Sequence, residues 1–204
     1  LLLCQSHAGY LLLCQLISRA YLTNQHRGRA EFKKEWFYEC GTEGLLLLSG
    51  AMAGDVGQAC LQSNSDLAYK LAAEWQSLFP ERYYLEVQRI ASGGSSPVEE
   101  GYIHQARAIA AQLELPLVAT HPIQFTSPED YRAHEARTCI AEGYVLADTR
   151  RPRNFTTEQY FKTQAQMAAL FADMPEALTN SVEIAKRCNL NLSLGNIYLP
   201  KFPT

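Results

Sequence analysis

The chain has 204 residues, 47% of them hydrophobic and 19% charged, which is enough apolar material to bury the core of one large domain or a substantial part of one. Its formal net charge is −3, which excludes a global electrostatic drive onto nucleic acid or anionic lipid. Any nucleic-acid contact must be local or carried by another part of the protein. The chain starts at Leu1 rather than Met and begins inside an apolar run, so a fragment or a processed piece is expected.

Leu1-Leu2-Leu3-Cys4 and Leu11-Leu12-Leu13-Cys14 each look like the end of a lipoprotein signal. No Lys or Arg precedes Arg19, and Gln5, Ser6 and His7 interrupt the apolar stretch, so the basic leader and continuous apolar core of a signal peptide are missing. Neither run approaches the roughly 20 apolar residues of a membrane span. The expectation is a cytoplasmic protein with no membrane partner. The six cysteines (4, 14, 40, 60, 139 and 188) include no pair closer than ten residues, too sparse for a zinc-type motif, and read as reduced, small apolar residues.

In chain order, Tyr10, Leu13, Leu16, Ile17, Ala20 and Tyr21 fall on one helical face. Gly44 to Gly50 encloses Leu45-Leu46-Leu47-Leu48, the pattern of a buried parallel strand. Leu67, Leu71, Trp75, Leu78 and Phe79 form a helical stripe that Pro80 ends, and Tyr83 to Val87 reads as the next strand. Ser96-Pro97-Val98-Glu99 combines a capping box with proline at the first helical position, and Ile103, Ala106, Ile109, Ala110 and Leu113 follow at helical spacing. Leu117 to Thr120 is a strand that stops at His121-Pro122, and Ser127-Pro128-Glu129-Asp130 opens a helix that Gly143 can end. Alternating strands and helices predict parallel βα units in an α/β layer or barrel. Past Gly143 a polar loop carries Arg150, Arg151 and Arg153. Two further helices are expected, at 163–172 with Gln166 completing a capping box and at 175–188, before a connector-like tail.

At this point the residues support a family resemblance. Gly44 to Gly50, Met52-Ala53-Gly54-Asp55-Val56-Gly57, Phe79 to Glu86 and Leu115 to Thr120 resemble blocks of the alpha subunits of bacterial replicative DNA polymerase III (C family), in the family's order. The likeness continues through His134-Glu135-Ala136-Arg137, Arg151-Pro152-Arg153-Asn154, Pro175-Glu176-Ala177-Leu178, Ala185 to Asn189 and Tyr198 to Pro203. It implies most of a PHP (polymerase and histidinol phosphatase) domain, a distorted, TIM-like βα barrel truncated at its N-terminus. Residues 1–145 would be the barrel part and 146–204 its C-terminal helices with the connector toward the polymerase thumb and palm.

The resemblance also locates a metal site and its losses. Metal-competent relatives would carry ligands at Ala51, Glu86, Ile90, Pro122 and Gln124, with a His-x-His segment before Leu1. Such a site gathers imidazoles and carboxylates around divalent ions to activate water. Alanine, isoleucine and proline ligate nothing through their side chains, and a neutral amide is a poor transition-metal ligand. The set is therefore degenerate. No catalytic residue and no bound cofactor are expected in this chain; Mg²⁺ would belong to the parent polymerase palm.

Single residues keep two readings each. Glu86 is a ligand remnant, or it caps a helix or pairs with an arginine. His121 is a surviving base, or a structural or exposed loop histidine. His134-Glu135 lacks the second histidine of a zinc-protease helix, since Thr138 stands there. Ser92-Gly93-Gly94-Ser95 has no Gly-Lys-Ser/Thr ending and reads as a linker. Arg150, Arg151 and Arg153 contact a phosphate backbone, or form a solvated basic loop. The function expected from the resemblance is a scaffold within a replicative DNA polymerase. It would dock the proofreading exonuclease subunit, keep company with other replicase subunits, and meet primer-template DNA through the parent protein. The enzymatic alternative is a metal-dependent phosphoesterase or 3′–5′ exonuclease of the PHP family.

Overall fold

The computed structural model describes residues 1–90, 96–197 and 199. The glycine-rich stretch 92–95, and Tyr198 and 200–203 of the closing block, lie outside the described residues. The chain packs as two compact units, Leu1 with Leu47–Ile184, and Leu2–Leu46 with the described residues from Ala185 onward.

The unit that holds Leu2–Leu46 begins with a short strand β1 (Leu2–Cys4) and helix α1 (His7–Thr23), whose N-cap Ser6 accepts a hydrogen bond from the Gly9 N–H. A two-residue hairpin, β2 (Gln25–His26) and β3 (Arg29–Ala30), is followed by α2 (Glu35–Cys40). Leu16, Ala20, Trp36 and Phe37 form its core, and the Arg19 guanidinium lies 4.5 Å from the Trp36 ring centroid while pairing with Glu39 at 2.5 Å. The α1 stripe is narrower than the sequence predicts. Gly9, Leu16 and Ala20 are its buried residues, whereas Ile17 and Tyr21 are exposed.

The larger unit is built on a parallel sheet. Strand β4 (Leu45–Leu48) is buried at every residue. β4 pairs in parallel with β5 (Tyr83–Gln88), Leu48 opposite Tyr84, and β5 pairs in parallel with β6 (Leu117–Thr120), Glu86 opposite Val118 and Gln88 opposite Thr120. Crossovers supply α3 (Asp55–Leu61), α4 (Ser65–Leu78) and α5 (Pro97–Leu113), so the chain is α/β with a parallel sheet, as the alternation predicts.

Local chemistry sets the boundaries. The capping box at α5 is present in full: Ser96 Oγ accepts from Glu99 N at 3.2 Å and Glu99 Oε2 accepts from Ser96 N at 2.7 Å. A single-turn 3-10 helix at Pro128–Asp130 leads into α6 (Tyr131–Glu142), which ends at Gly143 with φ +75°. Helices α7 (Gln164–Leu170), capped by Thr163 and Gln166, and α8 (Pro175–Arg187) follow. Of the stripe predicted for α4, Phe79 is fully buried, Leu71, Trp75 and Leu78 are half-buried, and Leu67 departs at 40% exposed; within the helix Ala68 and Ala72 are the buried residues. The free edge of β6 is covered in part: Asn180 Nδ2 of α8 donates to Leu117 O at 2.7 Å.

Candidate functional site

The carboxyl ends of β4, β5 and β6 converge on one carboxylate. Glu86 and Gln88 stand two apart on β5, so their side chains share a face of the sheet, and the register brings Thr120 opposite Gln88. Glu86 is only 5% exposed. Its Oε2 accepts from Gly50 N at 3.1 Å, and its Oε1 accepts from Gln88 Nε2 at 3.0 Å and from the Thr120 hydroxyl. Gln88 Nε2 also reaches Thr120 Oγ1 at 2.9 Å. The Glu86 backbone is held as firmly, with its N–H donating to Ser49 Oγ at 2.9 Å and its carbonyl accepting from Tyr102 OH at 2.7 Å. Of the two sequence readings, the arginine pair is replaced by a cage of neutral donors. A buried carboxylate stays buried only when its lone pairs are occupied, and here both oxygens are.

The other four positions that the resemblance would make ligands lie around this carboxylate or away from it. Ala51 follows Gly50, is 2% exposed and has φ +49° in the tight turn after β4. Gly57 of α3 closes onto that turn, since a Cβ there would stand 2.1 Å from Ala51 O. Ile90 points its backbone N–H at Glu99 Oε1 (2.9 Å), so the chain after β5 is tied to the cap of α5. Pro122 and Gln124 occupy the turn after β6, where Gln124 N donates to Gln159 O at 2.8 Å and Gln159 Nε2 donates to Pro122 O at 3.4 Å. His121 in the same turn is half-buried, its Nε2 2.8 Å from Glu158 O. Burial holds its ring below the usual imidazole range.

These side chains do not fit a divalent-metal centre. One carboxylate is present, its oxygens are spent on protein donors, and three of the remaining positions have no ligating atom. Among the described residues no group of three His, Cys, Asp or Glu side chains is placed to hold a metal ion.

The arginine loop is divided. Arg151 is nearly buried and donates to Glu135 at 2.7 Å and to Leu146 O at 3.2 Å, while Arg150 folds back on Asp148 at 2.8 Å; Arg153 is exposed. Each paired carboxyl is held below the usual range by its arginine. Two blocks of the family pattern, 134–137 and 151–154, thus meet through the Glu135–Arg151 pair.

Sequence reasoning misses Gln88, Gln159 and Arg89. Gln88 is recoverable from its spacing to Glu86, but Gln159 is too far along the chain to signal. Arg89 is 7% exposed and clamps the unit. It contacts Glu100 at 2.7 and 3.1 Å, Asp173 at 2.6 and 3.1 Å and Leu170 O at 2.7 Å, and stands 5.2 Å from the Phe171 ring centroid. The residues of this clamp come from the end of β5, the first turn of α5 and the α7–α8 junction.

Residues 1–90 match the family described as the PHP domain. Over its whole length the chain is 46% identical to DNA polymerase III subunit alpha of Pseudomonas aeruginosa, 45% identical to that of Neisseria meningitidis serogroup A and, over 99% of its length, 43% identical to that of Escherichia coli K12. It spans 17–18% of the length of these relatives. The PHP match carries the Gly50 turn and Glu86, and the likeness to the relatives runs on through the arginine loop and α8: the chain belongs to the DNA polymerase III alpha-subunit family.

Proposed function

We propose that this chain is a catalytically degenerate PHP module that acts as a scaffold inside a replicative DNA polymerase alpha subunit. The parent protein would perform DNA-templated DNA synthesis with Mg²⁺ in its own palm. The module would be part of a distorted βα barrel, with 146–204 leading toward the polymerase core, and would dock the proofreading exonuclease subunit alongside other replicase subunits in the cytoplasm. The observation that supports this reading best is the state of Glu86. The one ligand-type residue left in the set has both oxygens occupied by Gly50, Gln88 and Thr120, and Ala51, Ile90 and Pro122 supply no replacement.

A module of this kind keeps the strand ends as architecture and leaves proofreading to a partner. The direct test is co-purification of the full-length alpha subunit with the exonuclease subunit, wild type against Glu86→Gln. A scaffold retains the partner in both. Failure of the wild type to retain it removes the docking role, and intrinsic 3′–5′ exonuclease activity lost in Glu86→Gln would restore the enzymatic reading.

A further inference from the structure

His134 on α6 is 5% exposed and sits between two phenyl rings, Phe155 of the arginine loop at 4.7 Å and Phe125 of the turn after β6 at 5.4 Å. Arg137 Nη2 lies 3.1 Å from its Nδ1. A guanidinium only donates, so Nδ1 accepts, and the proton of the neutral ring is on Nε2. Nε2 is buried and has no hydrogen-bond partner among the described residues. A second proton can go only to Nδ1, where it would abolish the Arg137 contact and set one cation against another.

The charged and titratable groups around the ring come chiefly from its own helix: Arg137, Glu135 and, one turn back, Tyr131. From the loop, Arg151 is engaged by Glu135, and from the turn, Asp130 is occupied by Ser127. Among the described residues the ring's hydrogen-bond partner is Arg137, a donor that cannot accept from an imidazolium. Burial accordingly holds His134 below its usual value of 6.5, Arg137 pushes the same way, and Glu135 opposes both.

The ring stands where residues 147–161, which contain no helix or named strand, are laid onto the unit. Tyr131 OH donates to Phe155 O at 3.1 Å, Glu158 O meets His121, Gln159 holds both Pro122 O and Gln124 N, and Phe161 N donates to Phe125 O at 3.0 Å. We propose that His134 is an acid-sensitive latch: its neutral ring holds residues 147–161 against α6 and the turn after β6, and its protonation releases them. Release also frees Pro122 and Gln124 from Gln159, so the rim of the Glu86 site loosens with the loop.

Backbone hydrogen exchange of the full-length protein at pH 7.5 and 5.5, corrected for intrinsic rates, reads the latch. With the open-state ring titrating near 6.5, the opening of residues 147–161 should rise over that interval, by at most about tenfold, while β4 and β5 keep their protection. His134→Phe should abolish the rise. Arg137→Met, which removes the opposing cation, should shrink it. Equal protection at both pH values overturns the proposal, as does a rise that survives in His134→Phe, which would assign it to His121 or another group. If His134→Phe does not fold, an undiminished rise in Arg137→Met is the overturning result.

Discussion

The Thr120 hydroxyl donates to the Glu86 carboxylate across the β5–β6 pair, and Gln88 bridges the two side chains. Thr120 ends β6, and its hydroxyl serves to satisfy a buried charge. Glu86→Gln keeps the shape but leaves fewer acceptor sites for Gly50 N, Gln88 and Thr120. It should lower stability by about 1–3 kcal/mol, the penalty of unsatisfied buried donors, as measured by the urea midpoint. A midpoint equal to wild type would show that the carboxylate is not a structural centre.

Arg89 is the second fixed point. Its fork makes paired bonds to two carboxylates at once, geometry that lysine cannot reproduce. Arg89→Lys should therefore destabilise nearly as much as Arg89→Met, each by about 2 kcal/mol. Full rescue by lysine would show that charge alone matters.

The same clamp sets an acid response. Hydrogen bonding to Arg89 lowers the Asp173 carboxyl below its usual value of 3.8, with burial opposing and the Arg89 charge assisting. A depressed carboxyl stabilises the fold above its unfolded value and loses that contribution as pH falls through the lower folded value. Stability plotted against pH should fall below about pH 4, with that branch shallower in Asp173→Asn. An unchanged acid branch in Asp173→Asn would separate Asp173 from acid unfolding.

Gly57→Ala sets two effects against each other. Alanine gains about 1 kcal/mol of helix propensity, but its Cβ would stand 2.1 Å from Ala51 O and 2.7 Å from Met52 Cα. Backbone atoms cannot swing aside, so a net loss of about 1–3 kcal/mol is expected, visible as a lower melting temperature. A gain would mean that the turn at Ala51 moves freely.

The sequence discloses what is encoded locally. Four leucines between glycines, the Ser96-to-Glu99 box and Gly143 each act within a few residues, and each produces its element where expected. The hairpin at 25–30 goes unread because its strands are two residues long, although Arg27 and Gly28, at φ 50° and 80°, are a tight hairpin turn. Helix burial is misjudged where size misleads: α4 packs through Ala68 and Ala72 rather than through Leu67. At the site, the positions of Ala51 and Glu86 at the ends of their strands are legible from the apolar runs that precede them. What occupies Glu86 is not legible, since Gly50 and Thr120 stand 36 and 34 residues away. Arg89 and Asp173, 84 apart, are invisible for the same reason.

Metal analysis of the purified full-length alpha subunit, wild type beside Glu86→Gln, decides whether the Glu86 site is architecture or a metal centre. No stoichiometric zinc or manganese is expected in the wild type, and no difference between the two proteins. A zinc or manganese ion bound in the wild type and lost in Glu86→Gln would make Glu86 a ligand.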